Sequence, residues 1–191
     1  MKTLHLKTVA SAALFSAIVF SSHAQTMDNT VTVGGASMYP TKNIVENAVN
    51  SKKHTTLVAA VKAAGLVETL QSKGPFTVLA PVNDAFENLP DGTVETLLMP
   101  ENKPLLTTVL TYHVISGKYD YMALDKLITT EKGTASLKTV SGGTLTFMKN
   151  GTHNIIVKDE TGTIATISTY DVIQSNGVIH VIDTILLPKA Q

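Results

Sequence analysis

The sequence predicts an α+β fold, and three observations carry that expectation. Segments with helical spacing crowd into the first part of the chain, before Tyr112. Segments of strand length, rich in Thr, Val and Ile, fill the remainder. Turn residues separate those strands at Ser141-Gly142-Gly143, Asn150-Gly151 and Thr161-Gly162. Helices first and strands second favours α+β over alternating α/β. No internal repeat is present, so the chain carries one copy of its domain.

The elements follow in order. Residues 1–24 read as an export signal. Lys2 and Lys7 form a positive start, Val9–Phe20 is a short apolar run, and Ser22-His23-Ala24 places small residues where a signal peptidase reads, with cleavage after Ala24. The run is too short to span a bilayer well, so no transmembrane anchor is expected. Residues 25–40 are small and polar, with Gly34-Gly35, and read as a linker that is partly ordered at most. The domain is expected over residues 41–188. Asn43 and Glu46 have capping-box spacing, with Ile44, Val45, Ala48 and Val49 as a short helical face. Thr55 or Thr56 can cap a second helix that buries Leu57, Val58, Val61 and Ala64 and ends at Gly65. Val67–Gln71 continues with a turn or two of helix, stopped by Gly74-Pro75.

Phe76–Ala80 reads as a buried strand ended by Pro81, and Asn83 can cap a short helix with Asp84 in its first turn. Gly92–Met99 and Leu105–Thr111 have helical spacing, with Pro100 and Pro104 marking the gap. Five strands are then expected: Thr134–Val140, Thr144–Lys149, Asn154–Lys158, Ile164–Ile173 and Val178–Leu187.

Composition narrows the function. The chain has 191 residues, 43% hydrophobic and 16% charged, which is globular rather than disordered. Fifteen basic residues, all lysine, balance fifteen acids, and losing Lys2 and Lys7 with the signal would leave 13 bases. Without arginine or a basic excess, nucleic-acid binding is not expected. There is no cysteine, hence no disulfide and no thiol nucleophile.

His54, His113, His153 and His180 follow the leader, and none stands in a metal-ligand motif. His180 and Asp183 are an odd number apart in an expected strand, so they point to opposite faces. No nucleophile elbow and no phosphate-binding glycine loop is present. Single carboxylates such as Glu68, Glu87, Glu95 and Glu101 read as solvated helix faces. Neither a catalytic residue, a metal nor a cofactor is expected.

Three stretches in order resemble the fasciclin (FAS1) family of extracellular adhesion domains, as found in bacterial secreted single-domain members. They are "GPFTVLAPVNDAFENLP" (Gly74 to Pro90), "LTYHVISGKY" (Leu110 to Tyr119) and "NGVIHVIDTILLP" (Asn176 to Pro188). The resemblance implies a β-sandwich or wedge of about seven strands with a cluster of short helices from the N-terminal half. It makes Asn83, Asn176, Gly177 and His180 structural signatures of the fold. It also implies a non-catalytic role in attachment to a matrix protein or glycan. Two places in animal relatives are linked to partner recognition, and here they fall on Tyr112-His113 and on Asp171-Val172. A buried Tyr-His pair at a helix-to-strand junction has a structural reading as well, as a hydrogen-bonded joint.

Three functions therefore compete. The first is a secreted or periplasmic adhesion module with an extracellular protein or glycan partner. One domain offers one surface, so bridging requires homo-oligomerisation or docking on something anchored. The second is a carrier of an apolar small molecule, pigment or lipid, in a groove lined by residues such as Leu97, Leu98 and Met99. The third is an envelope-polymer hydrolase, which would need paired carboxylates in one cleft.

Overall fold

The structure is a computed structural model that describes residues 30–189. The export-signal reading lies outside the described residues. The first element is a hairpin, β1 (Val31–Val33) and β2 (Ala36–Met38). Helices follow as α1 (Ile44–Ala48), α2 (Thr55–Ala64) and α3 (Val67–Gln71), then strand β3 (Phe76–Pro81). Next come α4 (Asn83–Glu87), α5 (Thr93–Leu98), a 3-10 turn (Pro100–Asn102) and α6 (Lys103–Tyr112). Strand β4 (Val114–Ser116) and helix α7 (Tyr121–Thr130) precede the strands β5 (Thr134–Lys138), β6 (Thr144–Asn150), β7 (Asn154–Lys158), β8 (Ile164–Gln174) and β9 (Gly177–Ile182).

Seven strands form one sheet in the order β4-β3-β9-β8-β7-β6-β5. β3 and β9 run parallel, and every other neighbouring pair is antiparallel. The two edges of the sheet meet. Ile115 bridges Thr139, and the Val140 N–H donates to the Val114 carbonyl at 2.8 Å. The sheet nearly closes on itself, which removes most of the exposed edge that would invite pairing with another chain.

This near-barrel explains the sequence of β9, whose six residues are all buried. A strand covered on both faces reads as a continuous apolar run. Ile179 and Val181 join a helix-side core with Leu57, Ala60, Leu106 and Leu110. Ile182 joins an inner core with Leu79, Phe147, Val157 and Ala165. β8 serves both cores because it carries two register shifts between Ile167 and Val172, so Ile167 faces the inner core and Val172 the helix side. Such irregularities re-aim side chains where a sheet turns a corner.

Two expectations are corrected. Within the stretch read as a linker, residues 31–38 form a hairpin whose Val33 and Met38 are buried in the helix-side core. Gly34 and Gly35, at φ 59° and 80°, supply the two left-handed positions of a tight hairpin turn. Helix α7 interrupts what reads as strand territory. Asp120 caps it by accepting from the Ala123 N–H at 2.9 Å, and its Leu124 and Ile128 are fully buried in the inner core.

Candidate functional site

Tyr112 and His113 occupy the joint between α6 and β4. His113 is the C-cap of α6, and its ring satisfies a carbonyl that the ending helix leaves free. Its Nδ1–H donates to the Val109 carbonyl at 2.8 Å, so Nε2 is bare and accepts from the Leu186 N–H at 3.0 Å. One neutral tautomer thus ties α6 to the segment after β9. Burial pushes the ring down to a pKa of about 4. The Tyr112 hydroxyl donates to the Thr144 carbonyl at 2.9 Å and accepts from the Glu160 N–H at 3.2 Å. Burial pushes this phenol up to about 12.

Tyr112 and His113 are 0% and 3% exposed, and Val172 is 1% exposed. A residue so enclosed offers no contact to a partner while the domain is folded. The binding-surface reading of these three is therefore corrected to a packing and jointing role. Asp171 differs, because it is only half-buried. It sits at φ 55°, in the left-handed region that aspartate tolerates better than most residues. Its carboxylate accepts from the Tyr121 N–H at 2.7 Å, which caps α7 from across the sheet. The rings of Tyr121 and Tyr170 meet edge to face at 5.2 Å beside it.

His180 is fully buried and works as a second joint. Nε2–H donates to the Tyr119 carbonyl at 2.8 Å, and Nδ1 accepts a long bond from the Asp171 N–H at 3.4 Å. Burial lowers its pKa. Asp183 is exposed, lies just past the end of β9 and accepts from the Thr166 N–H at 2.8 Å, well apart in role from His180.

The other signature residues are also joints. Asn176 accepts from the Ile44 N–H at 3.0 Å and donates to the carbonyls of Leu70 and Ser72 at 2.8 and 2.9 Å. One amide thereby fixes α1 and the end of α3 against the β8–β9 turn. Gly177 is required because a Cβ there would collide with the Phe76 carbonyl in the neighbouring strand. Asn83 does not cap its own helix. Its Oδ1 accepts from the Thr56 N–H at 3.1 Å and its Nδ2 donates to the Lys52 carbonyl and to Thr55 Oγ1, both at 3.0 Å. It caps α2, whose own N-cap residue His54 makes no side-chain cap bond.

Sequence reasoning missed Asp159. It is buried, and its Oδ1 accepts from the N–H groups of Thr161 and Thr163 while Oδ2 accepts from the Leu187 N–H. The Asp-Glu-Thr-Gly-Thr run was its signal, since an aspartate opening a turn bonds the backbone two residues on. Also missed was the buried pair of Asn47 and Gln174, whose side chains bond each other. Among the described residues, no group of three His, Cys, Asp or Glu could hold a metal ion.

A cavity of about 120 Å³ lies between the helices and the sheet. Its wall is almost wholly apolar, with Ile44, Leu57, Val61, Val172 and Val181 among its lining. The groove expected at Leu97, Leu98 and Met99 is not this one. Leu97 and Leu98 pack against the helix-side core, Met99 is exposed, and none lines the cavity. His54 does line it and is 4% exposed. Its Nδ1 pairs with Ser51 Oγ at 2.8 Å, whereas its buried Nε2 has no hydrogen-bond partner among the described residues. Burial lowers its pKa, and the Ala80 backbone facing the ring opposes that in part.

Comparison with known proteins places this architecture. The fasciclin-domain family pattern matches residues 52–188. Protein sll1483 of Synechocystis sp. is 40% identical over 193 residues, spanning 96% of this chain and 99% of the relative. Cell surface glycolipoprotein MPB83 of Mycobacterium bovis is 31% identical, over 75% of this chain and 60% of its own length. A FAS1 domain pair from the insect cell adhesion molecule Fasciclin I superposes with a TM-score of 0.69 at 18% identity, over 78% of this chain and 52% of the pair. That likeness is one of fold. The chain belongs to the fasciclin domain family.

Proposed function

We propose that the chain is an exported, non-catalytic adhesion module that binds an extracellular matrix protein or a glycan. The observation that carries this reading is membership of a family whose fold recurs in an insect cell adhesion molecule and whose relatives include a cell surface glycolipoprotein. The lysine-flanked apolar leader, with cleavage after Ala24, supports export. Among the described residues no helix is long and apolar enough to cross a membrane. The buried carboxylate of Asp159 is committed to backbone N–H groups, which favours binding over catalysis.

Of the four residues the family resemblance marks, Asp171 is the one that reaches solvent. Partner contact is assigned to Asp171 with the half-buried Tyr121 and Tyr170 beside it, since aromatic rings are enriched at interfaces. The test is surface binding of the full chain to immobilised collagen and to purified envelope polysaccharide, with sedimentation to establish self-association. Saturable binding that Asp171→Asn weakens and Tyr112→Phe leaves intact is the expected result. A folded protein with no saturable binding to either surface overturns the reading.

A further inference from the structure

We propose that the helix-side cavity is a binding site for a compact neutral molecule, a single ring carrying one hydroxyl, held by a hydrogen bond to His54. Three observations converge on that ligand. The first is size. A dry cavity of roughly 150 Å³ accepts a benzene ring, and this cavity measures about 120 Å³. The second is the wall, which is almost wholly apolar, with Phe76 among its aliphatic residues, and includes no carboxylate, so a cationic ligand would find no partner within it. Lys62 is the single charged lining residue, and it is exposed at the rim with the half-buried Val61.

The third observation is the unmet polar atom. A buried nitrogen without a partner is an exception in folded proteins and calls for an explanation. Ser51 can donate to Nδ1, which leaves Nε2 as an N–H donor, or accept from it, which leaves Nε2 as an acceptor. A hydroxyl is both donor and acceptor, so it satisfies His54 in either tautomer. A carbonyl only accepts, so it satisfies only the tautomer with a proton on Nε2. The neutral ring favoured by burial suits a neutral partner. The adhesion reading and this site are tested separately, because Asp171, Tyr121 and Tyr170 do not line the cavity.

The experiment is an NMR titration of the full chain with phenol and, separately, with toluene. Saturable shifts are expected at the amides of His54, Val61 and Val172, with phenol bound about tenfold more tightly than toluene, as one buried hydrogen bond supplies. In His54→Leu the preference for phenol is expected to vanish while toluene still binds. Val61→Phe, which fills the cavity from its rim, is expected to abolish both. Wild-type protein without saturable shifts at these amides overturns the site. Retention of the phenol preference in a folded His54→Leu overturns the anchor, and that result does not depend on whether Val61→Phe folds.

Discussion

Among the described residues three histidines are buried, and in each burial favours the neutral ring. The consequence is clearest at His113, whose pKa falls from 6.5 to about 4. The unfolded chain takes up a proton as pH falls through 6.5, and the folded chain resists until about 4. Stability from this residue is thus complete above pH 6.5, declines between 6.5 and 4, and is flat below. The full difference amounts to about 3 kcal/mol. Urea midpoints measured from pH 7.5 to 4 should fall through that window. His113→Gln should be less stable at pH 7.5 by about 2–4 kcal/mol, since the Val109 carbonyl or the Leu186 N–H loses its partner. It should also flatten the slope between 6.5 and 4; an unchanged slope would place the titration elsewhere. Asn176→Ala strands three backbone groups together, two of them buried, and should destabilise by about 2–4 kcal/mol. Asn176→Asp should not rescue it, because a carboxylate cannot donate to the Leu70 and Ser72 carbonyls.

At the scale of the elements, caps that act within one segment were legible and caps that act across segments were not. The Asn43–Glu46 box forms as its spacing requires, with both reciprocal bonds present, and Gly65 ends α2 in the left-handed conformation. The cap of α2 comes instead from Asn83, across 27 residues of chain, and that of α7 is shared between Asp120 and the distant Asp171. A spacing rule sees only neighbours in sequence, so Thr55 and Thr56 looked sufficient. Asn83→Ala should therefore lower stability by about 1–2 kcal/mol and speed hydrogen exchange at Thr56 while the α7 amides stay protected. Equal loss of protection in both helices would mean global unfolding rather than a lost cap. Helix α7 was hidden for a related reason. Its β-branched and polar residues resemble the strands that follow, and the Leu124–Ile128 spacing that marks its buried face is one repeat long.

For the molecule as a whole, the class and the central strands could be read because β3 and β9 are covered on both faces and keep an apolar signature. The parallel pairing of β3 with β9, the closure of β4 onto Thr139 and the cavity left no local pattern, since each depends on where distant segments meet. The hairpin of residues 31–38 is the sharpest case. It precedes the family match, which begins at residue 52, yet it is built into the helix-side core. Burying Val33 and Met38 contributes about 3–6 kcal/mol together. Tyr39 and Asn47 exchange two further bonds, at 3.0 and 2.8 Å, that hold the buried Asn47 against Gln174. Both Val33 and Met38 also line the cavity, so removing them opens its floor to water. A chain that begins at residue 41 should therefore unfold at lower urea concentration, by about 4 kcal/mol or more, with a larger exposed apolar surface detectable by a hydrophobic dye in the folded baseline. The comparison must be made at matched pH above 6.5, where the buried histidines contribute equally to both chains. Equal stability of the two chains would make residues 31–38 an appendage resting on the domain, and the domain would then start where its capping box does.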